Sequence, residues 1–156
     1  MAAALLTLTT LSILGITASF VLAFGVGGSE DASHVLIGMF GTILNLLAHS
    51  FMMFYLIGKG KAVREAVAEA GLKGNYYARV ARLRAPVFSR ATLAMAVLMA
   101  AAIIGASVDV GVLPPWPHAL LAGLALAAQV YTLLTEVTAL TGTARIVDEV
   151  NAALNS

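Results

Sequence analysis

The amino-acid sequence predicts an all-α integral membrane protein, a four-transmembrane-helix bundle in one domain over residues 1–156. Three observations carry that expectation. Hydrophobic residues make up 60% of the chain and charged residues 11%, with a mean hydropathy of +0.94; a soluble domain carries about a quarter charged residues. Four apolar runs are each long enough to cross a hydrocarbon core of about 30 Å. Finally, the basic residues are confined to one connector and the tail, a segregation that water-soluble folds have no reason to keep.

The first run, 5–26, has no basic residue ahead of it, as a cleavable signal peptide would need, and reads as a retained span. A short acidic connector with Glu30 and Asp31 leads to the second run, 34–57. In the long connector 58–90, the stretch 61–70 reads as an amphipathic helix prolonging the second span and stopped by Gly71 and Gly74. The stretch 75–84 reads as another, ended by Pro86. The third run, 91–108, is rich in Ala and also carries Gly105, a smooth surface for close helix approach. The connector 109–117 is stiffened by Pro114, Pro115 and Pro117 and carries Trp116 as an interfacial anchor. The fourth run, 118–141, precedes a tail with Arg145, Asp148 and Glu149.

Of the nine Lys and Arg residues, all but Arg145 lie in 58–90: Lys59, Lys61, Arg64, Lys73, Arg79, Arg82, Arg84 and Arg90. The positive-inside rule makes that connector cytoplasmic, and an even number of spans puts both termini on the same side. The expectation is a multi-pass protein of the cell inner membrane. Anionic lipid headgroups attract such a connector by about 1 kcal/mol per basic residue near the surface. That accounts for the charge without nucleic acid. The absence of cysteine excludes disulfides and thiol chemistry.

Compared with itself at an offset of 84 residues, the chain aligns Gly27 with Gly111 and His34 with His118. The same offset aligns Gly41 with Ala125 and Asn45 with Gln129. The second and fourth runs thus carry small residues and an amide at matching depths. This predicts two parallel helical hairpins with pseudo-twofold symmetry along the membrane normal.

Polar groups inside a bilayer are costly and usually face the bundle interior, so they are the candidate functional residues. At 100° per residue, Asn45 lies about 20° and His49 about 60° round the second helix from His34, with His49 about 22 Å deeper. Gln129 stands in the same relation to His118, and Glu136 returns to that face about 27 Å down. The expected lining is therefore Asn45, His49, Gln129 and Glu136. Glu136 is the one acidic residue inside a run and needs a donor or cation, for which His49 is the candidate. Such a pair serves either as a proton relay or as a structural hydrogen bond between helices, worth about 1 kcal/mol.

His34 and His118 begin the two even-numbered runs at the outer face. Two imidazoles so placed could ligate a haem iron from both sides, or supply two ligands to a zinc or copper ion. The bland alternative is a pair of solvated interfacial histidines. The layout loosely resembles the four-helix membrane cytochromes b, in which two helices each carry two haem-ligating histidines about four turns apart. His34 and His49 have nearly that spacing, but Thr132 and Leu133 stand where a partner of His118 belongs. The resemblance therefore implies at most one b-type haem, at His34 and His118. No nucleophile–base–acid constellation is visible. The expected function is a non-enzymatic membrane subunit of a homo-oligomer or larger complex, with a haem at those histidines as its one expected cofactor. The alternative is an oligomeric small-solute or proton transporter using the polar lining.

Overall fold

Segments that cross lipid must satisfy every backbone donor and acceptor internally, which favours unbroken helices. The computed structural model describes residues 1–25 and 33–155. They form four helices and no strand: α1 (Ala2–Gly25), α2 (Ser33–Glu69), α3 (Tyr76–Asp109) and α4 (Pro115–Leu154). Each is long and apolar enough to span a membrane. The acidic connector with Glu30 and Asp31, and Gly27 of the repeat, lie outside the described residues.

Three helices outrun the bilayer. α2 has 37 residues and α4 has 40, so each is roughly 55–60 Å long, about twice the hydrocarbon thickness. The connector 58–90 is therefore mostly helix, a continuation of α2 and α3 joined by a short turn. Gly71 makes that turn with φ of 61°. The Leu72 N–H reaches back to the Val67 carbonyl and the Gly71 N–H to Ala68, which satisfies the last carbonyls of α2. Gly111, with φ of 74°, closes α3 in the same way against Ser107 and Val108.

One boundary differs from expectation. Pro86 does not end a helix but lies inside α3. Proline removes one N–H, which leaves only the Arg82 carbonyl without its intrahelical donor, and packing of the neighbouring Val87 carries the helix through. The tail after residue 141 continues α4 as helix, with Ile146 and Val150 buried against Val63 of α2 and Val80 of α3.

The four helices form an all-α bundle in which α1 lies against α2 and α4, and α3 against α2 and α4. Small residues set the closest approaches. A Cβ on Gly41 of α2 would lie 3.1 Å from the Ile16 backbone nitrogen of α1. Three apolar clusters follow one another along the bundle. Nearest the His34 and His118 end are Ile16, Leu98, Ala101 and Ala125. Next come Met52, Leu56, Val87, Ala139 and Leu140. Beyond the start of α1, at the basic end, Val63, Val80, Ile146 and Val150 close a three-helix extension. Leu36, Phe40, Phe54, Leu93, Ile103 and Leu134 point outward and are more than half exposed, as a face that meets lipid requires.

Candidate functional site

Between the first two apolar clusters lies a layer of buried polar side chains. Asn45 and His49 are one turn apart on α2, and Gln129 and Glu136 are two turns apart on α4, so each pair shares a face. All four are 0% exposed. His49 Nδ1 is 2.6 Å from Glu136 Oε1, and His49 Nε2 is 2.6 Å from Gln129 Oε1. The Gln129 amide nitrogen donates to the Ala94 carbonyl of α3 at 3.1 Å. Asn45 donates to Ser12 Oγ of α1 at 3.0 Å, and Ser12 donates onward to the Thr9 carbonyl. Every helix of the bundle is tied into this layer by at least one hydrogen bond.

The bonds fix the proton inventory. A carbonyl only accepts, so Gln129 presents its nitrogen to Ala94 and its oxygen to His49. His49 Nε2 must then carry a hydrogen. One further proton lies between Nδ1 and Oε1, and either position completes the bond: carboxylate with imidazolium, or carboxylic acid with neutral imidazole. Both arrangements have zero net charge, which is what an apolar surround tolerates best. Glu136 Oε2 and Asn45 Oδ1 are buried and have no hydrogen-bond partner among the described residues.

His34 and His118 do not join this layer. Both line a cavity of about 350 Å³ at the opposite end from the basic extension. Its walls are mostly small and apolar, including Gly38, Ala101, Gly105 and Ala122, with Ser19, Thr42 and Asp109 as polar additions. His118 donates from Nδ1 to the Ala101 carbonyl at 2.9 Å. Its ring lies on Gly105, where a Cβ would come within 2.7 Å of Cε1. The His34 carbonyl accepts from Ser19 of α1 at 2.7 Å.

Near the basic end, Arg90 donates to Thr135 at 2.7 Å and covers the Tyr131 ring at 4.4 Å. Arg79 of α3 and Glu149 of α4 form a bidentate exposed pair, with one N–O distance of 2.8 Å. Its hydrogen bonds hold Glu149 below the usual carboxylate range and raise Arg79.

Sequence reasoning missed Ser12, Ser19 and the tertiary role of Arg90. It also gave Gln129 a lining role but not its place as the link between His49 and α3. No protein-family model, curated protein or solved structure matches the chain.

Proposed function

We propose that the chain is a non-enzymatic, multi-pass subunit of the cell inner membrane, within a homo-oligomer or larger complex, whose working centre is the proton shared by His49 and Glu136. One observation carries this reading: the pair is fully buried, bridged at 2.6 Å, and oriented by Gln129 through the second ring nitrogen of His49. The pair joins α2 to α4, so adding or removing that proton leaves a net charge in an apolar layer and changes what holds the two helices together. This supports proton-linked passage or gating of a small solute.

The topology belongs to the same proposal. The basic extension is cytoplasmic, and the His34 and His118 end faces outward. The pseudo-twofold relation of the two hairpins draws support from two matched ties. Asn45 bonds the preceding helix at Ser12, and Gln129, 84 positions later, bonds the preceding helix at Ala94.

The test is proton flux into liposomes, read with an internal pH dye. Glu136→Gln puts a hydrogen-bonding amide in place of the carboxyl group and is expected to abolish flux while folding normally. Unchanged flux in that variant overturns the proton reading. Reporter fusions at Gly74 and Val112 are expected to read cytoplasmic and external.

A second reading, one b-type haem at His34 and His118, is favoured by the tautomer of His118. With Nδ1–H given to a backbone carbonyl, Nε2 is left as the lone pair, the orientation that metal-ligating histidines take. Among the described residues no three His, Asp or Glu side chains gather to hold a bare metal ion, so the donors suit a haem, which needs only axial ligands and supplies one-electron chemistry. The cavity, about 350 Å³, lies at the small end of ligand pockets. A Soret band lost in His118→Ala supports this reading, and a colourless protein purified from haem-replete cells ends it.

A further inference from the structure

The basic extension holds an arrangement that general attraction to a membrane does not require. Two of its arginines, on different helices, converge on one aromatic ring. The guanidinium carbons of Arg64 (α2) and Arg84 (α3) each lie 5.8 Å from the centroid of the Tyr77 ring. Arg84 also donates to the Tyr77 hydroxyl at 3.3 Å. Arg79 is neutralised by Glu149 and Lys61 by Glu65. Among the described residues no ion pair includes Arg64 or Arg84.

Two like charges drawn to one ring repel each other, and the ring's quadrupole is a weak counterweight at a hydrated surface. An anion bound by both would offset that repulsion. Two planar guanidinium forks and a phenol hydroxyl are the donors that a phosphate takes. Gly60 makes the approach possible: a Cβ there would lie 3.1 Å from an Arg84 guanidinium nitrogen. Depth narrows the choice of phosphate. Gly60 lies three residues past Ile57, the last residue of the second apolar run, hence about 5 Å beyond the hydrocarbon edge. Ile57 stands two turns from Arg64 on the same face of α2 and is 41% exposed. An acyl chain attached to the phosphate would lie along that face.

We infer that Arg64, Tyr77 and Arg84 form a site for the phosphodiester headgroup of an anionic phospholipid, at the seam between α2 and α3. The inference rests on the proposal that the basic end lies at a membrane surface, and is independent of the His49–Glu136 proton.

The test is thermal unfolding of delipidated protein in a neutral detergent, titrated with phosphatidylglycerol, phosphatidylcholine or inorganic phosphate. Phosphatidylglycerol is expected to raise the midpoint saturably, while the other two leave it unchanged. Arg64→Gln with Arg84→Gln should remove the response, and Lys73→Gln with Arg82→Gln, an equal charge loss elsewhere on the extension, should keep it. Should the first double variant fail to fold, Arg84→Lys keeps the charge and loses the fork. Native mass spectrometry should then show phosphatidylglycerol bound about tenfold more weakly, the cost of one charge-assisted hydrogen bond. Equal loss in both double variants, or unweakened binding to Arg84→Lys, would mean diffuse attraction and overturn the site. A response to inorganic phosphate equal to that of the lipid overturns the lipid assignment, as does an equal response to phosphatidylcholine. If the Gly74 fusion reads cytoplasmic while the lipid response is diffuse, the site alone fails and the topology stands.

Discussion

The buried layer at His49 and the basic extension solve the same problem, holding long helices side by side, with opposite materials. In the layer, apolar contact adds little specificity, because lipid is as apolar as the helices, and the specific ties are hydrogen bonds among fully buried groups. In the extension water is close by. There Val63, Val80, Ile146 and Val150 supply the cohesion, and the polar contacts stay at the margin, where exposed pairs contribute little. The comparison teaches that charge means different things at the two levels. The carboxyl group of Glu136 is part of the frame, whereas that of Glu149 trims a frame already made.

Removing the buried carboxyl group of Glu136 is expected to have the largest effect. Glu136→Leu strands the His49 imidazole and is expected to cost about 3 kcal/mol, read as a lowered midpoint in detergent. Glu136→Gln should stay close to the parent, since an amide still bonds His49. Equal midpoints for all three proteins would mean that the layer does not hold the bundle. Next in size is the extension's apolar core. Ile146→Ala should cost about 2 kcal/mol, and its effect should appear as faster hydrogen exchange at the ends of α2 and α4 rather than in the polar layer. Spread of that effect to Asn45 and His49 would show that the two regions unfold as one.

The smallest expected effect is at Glu149. Its carboxyl is held below the ordinary range by Arg79. Such a group binds its proton more readily when unfolded, so the stability it adds is present above the ordinary carboxylate pKa and is lost as pH falls through the lowered value. Acidification into that window should loosen the extension slightly in the parent and not in Glu149→Gln. A pH response of the same size in both would remove the pair from consideration.

Much of the fold was legible because lipid leaves few options: long apolar runs must be helices, and helical phase alone puts Asn45 and His49 on one face. What escaped did so for local reasons. Ser12 carries no long-range signal, since a hydroxyl in a helix is readily satisfied one turn back, as Thr10 and Thr17 are. Arg90 reads as a connector charge, yet its chain is long enough to reach Thr135 while its head covers Tyr131. Pro86 was misjudged because burial of Val87 against neighbouring helices outweighs one missing N–H.

The unbroken course of α2 and α4 has a mechanical consequence. Each is a rod anchored near its middle by one half of the same bond, His49 on one and Glu136 on the other. From Glu136 to the last turn of α4 is roughly 27 Å, so a 5° swing about that anchor displaces the tip by about 2 Å. Val63, Ile146 and Val150 pack with Val80 roughly 15–21 Å along the helices from that anchor, where close packing resists a smooth slide. A tilt of a few degrees at a single hydrogen bond thus arrives at the far end as a displacement that this close packing must absorb.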